Sequence, residues 1–151
     1  HAMTKKAAMT RSCVLSMVVS VDGFINGAGG EFIAPDWSAD LDAWTAGHAA
    51  RFDTMLFGRA AWESLAAYWP AAATDPATPP AARVIFAGAR FAQTALAAGV
   101  VDELSLLVIP ELFGHGTRLF EGHGLRRKLE LVETRLMDTG ALLTRHAVLS
   151  T

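Results

Sequence analysis

Two short apolar runs in this chain each end at a glycine, meet an arginine and open into a helix-forming segment. The first is Met55-Leu56-Phe57-Gly58-Arg59, followed by Ala60 to Leu65. The second is Val84-Ile85-Phe86-Ala87-Gly88-Ala89-Arg90, followed by Phe91 to Leu96. Apolar runs of this length, bounded by glycine, read as buried strands. If both strands are parallel, two helix N-termini emerge from one edge of one sheet. Such an edge presents unpaired backbone N–H groups and the positive ends of two helix dipoles, and each arginine adds a fixed charge. Phosphate suits that arrangement, and open α/β sheets bind ligands in the crevice at the carboxyl ends of their strands. The plainer alternative is that glycine eases a bend and the arginine is solvated. Neither turn is G-x-G-x-x-G or G-x-x-x-x-G-K, so neither common nucleotide fingerprint is present.

The remaining punctuation organises the chain around these turns. Ser12 to Val21 reads as a buried strand that stops at the turn signal Asp22-Gly23. Phe24-Ile25 leads into the glycine cluster Asn26-Gly27-Ala28-Gly29-Gly30. Ser38 is a candidate N-cap for a helix running to about Arg51. That helix has a patchy apolar face and is expected to lie over an active-site mouth. Thr54 to Phe57 is expected as the second strand and Arg59 to Tyr68 as the second helix. A linker from Ala71 to Ala82 follows, and Pro70, Pro76, Pro79 and Pro80 leave no room there for a helix or central strand. Arg83 to Ala87 is expected as the third strand, and Arg90 to Ala98 as its helix, with Gly99 at the C′ position. Leu104 to Ile109 forms a fourth strand ended by Pro110, and Leu112 to Gly124 a glycine-studded loop. Leu129 to Leu136 and Ala141 to Leu149 flank Asp138-Thr139-Gly140 as a β-hairpin. The expected fold class is α/β: a mixed, mostly parallel sheet flanked by helices, with a C-terminal antiparallel hairpin.

Bulk properties narrow the function classes. With 151 residues, 52% hydrophobic and 19% charged, the chain is long and apolar enough for one domain with a real core. That domain is expected over residues 12–151. His1-Ala2-Met3 reads as a cloning remnant, with residues 1–11 a flexible N-terminus. A net charge of −2 provides no basic footprint for nucleic acid or anionic membrane. No apolar stretch approaches the ~20 residues of a spanning helix. The lone Cys13 cannot form an intramolecular disulfide, fits a reducing cytoplasm, and reads as a structural thiol.

The candidate chemistry is sparse outside the paired turns. The five histidines show no close metal-ligand spacing, and no G-x-S-x-G nucleophile elbow occurs. Aromatic residues cluster before the linker. Trp62 is expected in the core, whereas Phe24 and Trp37, in loops, are candidates for a flat wall against a planar heterocycle. Asp22, the carboxylate at the mouth of the first strand, is either a ligand contact or an Asx-turn residue.

These pieces recur together in a known order. Ser20-Val21-Asp22-Gly23-Phe24-Ile25, Leu56-Phe57-Gly58-Arg59-x-x-x-Glu63 and Tyr68-Trp69-Pro70 come first. Gly99-Val100-Val101-Asp102-Glu103-Leu104 and Pro110-x-x-x-Gly114-x-Gly116-x-x-Leu119-Phe120 follow. As a set, spanning about Ser12 to Val148, they resemble the dihydrofolate reductase-like proteins related to the reductase domain of the bifunctional riboflavin-biosynthesis deaminase/reductase. The resemblance implies a dihydrofolate reductase-like fold, NADPH as hydride donor, a pteridine- or pyrimidine-like substrate and a homodimer. It places Gly58 and Arg59, then Gly88, Ala89 and Arg90, at the cofactor phosphates. It places Asp22 and Gly23 beside nicotinamide and substrate, so Asp22 is the candidate catalytic-site carboxylate, and the loop aromatics Phe24 and Trp37 are expected to face the substrate. The sequence departs from the family at Ala61, where a threonine is usual, and at Ala87, where a glycine is usual. It also departs at 71–82, where the family has a further strand and helix. These departures raise the alternative of a non-catalytic small-molecule-binding protein on the same fold.

Overall fold

The computed structural model describes residues 12–32, 34–52, 54–63, 66, 89–121 and 126–149. In chain order its elements are β1 (Val14–Ser20), β2 (Phe24–Asn26), α1 (Ala39–Ala49), α2 (Ala89–Ala97), β3 (Glu103–Ile109), β4 (Thr117–Arg118), β5 (Leu129–Leu136) and β6 (Leu142–Val148). Four strands form one sheet in the order β1-β3-β6-β5, and β2 pairs with β4 in a separate two-stranded ribbon. β1 and β3 are parallel in continuous register from Val14↔Glu103 to Ser20↔Ile109, so both end at one edge. β3–β6 and β5–β6 are antiparallel. The sheet is therefore mixed, as the sequence suggests.

Alternation along the central strands divides the core in two. Leu15, Met17 and Val19 of β1 join Leu104 of β3 under Ala92 and Leu96 of α2. Val18 of β1 joins Leu107, Ile109 and Leu143 on the opposite face, under Leu41 of α1. Burying each such aliphatic side chain contributes about 1.5–3 kcal/mol, so these two layers are the main apolar packing among the described residues. Cys13 lies at the margin of the α2 layer, and partial burial, with Asp102 nearby, raises its thiol pKa. It stays a thiol, as a structural cysteine should.

α1 buries Leu41, Thr45 and His48, a stripe at i, i+4 and i+7. Two of the three are polar, which is why the helix reads as patchy in sequence. It lies across the sheet face rather than over a mouth. His48 is 4% exposed and stacks on Trp44 at a centroid distance of 4.4 Å, with Phe52 edge-on at 5.0 Å. Arg51 donates to His48 Nδ1 at 3.3 Å, so the ring carries its proton on Nε2, 3.4 Å from Ser16 Oγ. A His48 held this way cannot act as base toward Ser16. Burial, reinforced by the Arg51 charge, pushes its pKa down to about 4. Beyond it, Arg145 of β6 donates to Glu103 at 2.8 Å and to Glu133 at 2.6 Å, and Arg51 reaches Glu103 at 3.2 Å. Hydrogen bonding from Arg145 and Arg51 holds the Glu103 pKa down at about 2.

α2 ends where the sequence indicates. Gly99 adopts φ +69°, its N–H bonds Leu96 O at 3.1 Å, and the Val100 N–H bonds Ala95 O at 3.3 Å, completing a Schellman motif. The hairpin closes on Asp138-Thr139-Gly140, with Gly140 at φ +84° and Met137 N–H on Ala141 O at 2.8 Å. Asp40 of α1 accepts the Asp138 N–H at 3.0 Å, tying the helix start to that turn.

Two expected elements differ or fall elsewhere. Thr54 to Phe57 is not a strand, and Met55 and Leu56 are exposed. Four residues, three of them apolar, are too few for periodicity to separate a strand from a connecting segment. The expected strand Arg83 to Ala87, the linker 71–82 and residues 1–11 lie outside the described residues. Among the described residues, no helix is long and apolar enough to cross a membrane.

Candidate functional site

The edge where β1 and β3 end is built around Asp22. Ser20 Oγ donates to Asp22 Oδ1 at 2.6 Å, and the Phe113 and Gly114 N–H groups donate to its two carboxylate oxygens at 3.1 and 2.7 Å. Ser20 also accepts the Phe24 N–H at 3.0 Å. These donors, Ser20 first, hold the Asp22 pKa at about 2. Asp22 is thus an ionised fastener between the end of β1 and the loop after β3, and at neutral pH it has no proton to donate. Its reach of more than ninety residues along the chain goes beyond the local Asx turn that was the alternative.

β2 and β4 wall this edge. The ribbon pairs Phe24 with Arg118 and Asn26 with Thr117. Gly116, at φ +132°, makes the close approach possible: a Cβ there would collide with the Asn26 carbonyl oxygen. β4 hides in the sequence because two residues between glycines show no alternation. Phe24 is 4% exposed and packs with Val18, Leu41 and Ile109. It is a core residue rather than the open wall expected of it, because β2 turns its ring inward and the Arg118 guanidinium covers it at 4.4 Å. Trp37, by contrast, is 41% exposed, just ahead of the Ser38 cap of α1.

Gly58 of the first turn meets the start of α2, the segment that follows the second. A Cβ on Gly58 would lie 3.2 Å from the Phe91 Cβ, so the Gly58 backbone rests against the start of α2. A helical run begins at Arg59, where the Trp62 N–H bonds Gly58 O at 2.9 Å. The two helix starts predicted from separate sequence segments are therefore neighbours. Arg59 is 90% exposed and pairs with Glu63 one turn on at 3.3 Å. Arg90 is exposed, Ala89 opens α2, and Gly88 lies outside the described residues. Gln93 of α2 donates to the Arg118 and Leu119 carbonyls at 3.2 and 3.1 Å, which sets the start of α2 at the same sheet edge. Trp62 is 60% exposed, 6.4 Å from Phe57, and is not the core residue expected. Arg59, Arg90 and the first N–H groups of α2 are residue types that suit a phosphate, and they lie on these two neighbouring helix starts.

Comparison with known proteins agrees with this architecture. Residues 83–143 match the RibD C-terminal domain. A solved structure from Shewanella sp. PV-4, assigned to riboflavin biosynthesis, superposes with TM-score 0.55 at 14% identity. It covers 93% of this chain and 100% of that one. Acinetobacter baumannii RibD superposes with TM-scores of 0.56 and 0.55 in two forms, at 17% and 18% identity. The match covers 92% and 91% of this chain, which spans 58% of the length of each RibD chain. No curated protein sequence matches the chain significantly. The fold is that of the dihydrofolate reductase-like RibD reductase domain, as the sequence resemblance implies.

Proposed function

We propose that this chain, which shares the fold of RibD reductase domains, is an NADPH-dependent reductase of a small pteridine- or pyrimidine-like heterocycle. The observation that carries the reading is the meeting of Gly58 with Phe91, which sets two arginine-flanked helix starts side by side, and open α/β sheets bind ligands at such edges. NADPH, when bound, supplies the hydride, and the chain supplies binding and orientation. Arg59 and Arg90 hold phosphates, Gly58 and Gly88 allow backbone approach, and Ala89 contributes its place at the start of α2. Asp22 is a positioning residue: it fixes the loop at 113–114 beside the site. Trp37, exposed just ahead of α1, is available to a planar ring.

Spectrophotometry tests the reaction. NADPH mixed with the protein and a panel of pteridines and pyrimidines should be consumed only when an accepted heterocycle is present. Ala61, which brings no hydroxyl to the helical run after Gly58, favours the second reading, a binding protein without turnover. Heterocycle binding without any NADPH binding or consumption would establish that alternative.

The partner expected is a second copy of the chain. Leu129, Leu131, Thr134 and Leu136 of β5 share the face of β6 residues Leu142, Thr144, His146 and Val148, and none of these is a carboxylate, lysine or arginine. The four leucines are exposed, whereas Glu130, Glu133 and Arg135 occupy the other face. A face of leucines and threonines without carboxylate, lysine or arginine opposes itself across a two-fold axis with little like-charge repulsion, as an isologous contact requires.

A further inference from the structure

We propose that Gln93 is a positioning residue through which a nucleotide held at the start of α2 orders the β2–β4 ribbon. This rests on the reductase reading above and adds to it a coupling between cofactor and the wall of the heterocycle site. Gln93 lies one turn beyond Ala89, the first residue of α2. Its Nε2 donates to the Arg118 carbonyl at 3.2 Å and to the Leu119 carbonyl at 3.1 Å. Both partners are acceptors, so the amide must present N–H groups to both and cannot rotate without losing one of them.

The ribbon needs such a tie. β2 has three residues and β4 two, they form a sheet of their own, and their register shifts between Phe24 and Asn26. A two-stranded ribbon is marginal in water by itself, so what it rests against decides its position. The end of β1 holds it on one side: the Leu119 N–H bonds the Gly23 carbonyl at 3.0 Å, and the Arg118 guanidinium bonds the Asp22 carbonyl at 3.2 Å. α2 holds it on the other, through Gln93 and through Leu119, which is buried in one cluster with Ala92 and Leu96. Apolar contact is non-directional and tolerates a small slide of the helix. The two hydrogen bonds do not, because they weaken steeply as they lengthen or bend. A phosphate on the first N–H groups of α2 pins the helix start, and a pinned helix offers Gln93 at one fixed place. The ribbon is then ordered before the heterocycle arrives, and the two ligands favour each other by one reciprocal factor.

Hydrogen exchange read by mass spectrometry, with and without saturating NADPH, tests the coupling in the full chain, Gln93→Met and Gln93→Glu. NADPH affinity and melting temperature are measured on the same samples. Both replacements keep the length of the side chain and favour helix, and both lack the amide donors. In the wild-type chain NADPH should slow exchange over residues 22–26 and 116–119 by about fivefold, the contribution of one net hydrogen bond. In either variant the slowing should fall below about twofold while NADPH affinity stays within about threefold. A merely structural tie would loosen the ribbon equally with and without NADPH and leave the ratio unchanged, which overturns the proposal. A variant that keeps its melting temperature but loses NADPH puts Gln93 in the cofactor site itself and overturns the positioning role. A wild-type chain that binds NADPH without slowing the ribbon overturns the coupling and leaves the reductase reading standing. No NADPH binding by the wild-type chain overturns both.

Discussion

Single residues set the pH behaviour of this molecule. Asp22 titrates at about 2 in the folded chain against an ordinary 3.8, so its stabilising effect is full above about pH 4 and fades as pH falls toward 2. Asp22→Asn places an amide N–H group against one of the Phe113 and Gly114 donors. It should lower the melting temperature at neutral pH, and the gap to the wild-type chain should close as pH approaches 2. A gap that persists there would mean that Asp22 acts by shape alone. His48 acts in a higher window. Its pKa is about 4 folded against 6.5 unfolded, so stability is full above about pH 6.5 and declines as pH falls toward 4. His48→Phe removes the titrating group, and thermal melts should flatten between those pH values whatever the offset at pH 7. Asp22 was legible as a candidate because it ends an apolar run at a turn. Its clamp on Phe113 and Gly114 was not, because no local pattern reports a bond across ninety residues. Arg118 carried less signal still, a single cation between Gly116 and Leu119.

At the level of elements, long or strongly punctuated segments were readable and short ones were not. β1, β3 and the β5–β6 hairpin follow from apolar runs bounded by Asp22-Gly23, Pro110 and Asp138-Thr139-Gly140. α2 follows from its Gly99 stop. β4 is two residues long and exists through its pairing with β2, so tertiary contact decides it. Gly116 is the hinge of that contact. Gly116→Ala would drive a methyl group into the Asn26 carbonyl and hold alanine at a positive φ. The left-handed backbone alone costs roughly 1–2 kcal/mol, and the collision adds to it. Chemical denaturation should show a loss above ~2 kcal/mol, with Arg118 displaced from Phe24. A neutral substitution would mean that β2 and β4 part without consequence. α1 teaches the converse: Thr45 and His48 are buried in its stripe, so hydropathy alone placed the helix wrongly.

For the whole molecule, the topology gathers what the sequence separates. Gly58 and Phe91 are far apart in the chain yet meet, and β1 and β3 deliver Asp22 and the loop at 113–114 to the same edge. The leucine-rich face of β5 and β6 gives the assembly prediction: the wild-type chain should run as a dimer by light scattering, and Leu131→Glu should shift it toward monomer. A monomeric wild-type chain removes that part of the account. The central claim is that the paired turns hold NADPH, and calorimetric titration of NADPH into the full chain and into Arg59→Ala/Arg90→Ala tests it most directly. Both arginines are exposed, so the double variant should keep its melting temperature while its NADPH affinity falls at least tenfold. Equal affinity in the two proteins, or no NADPH binding by the wild-type chain, would contradict it.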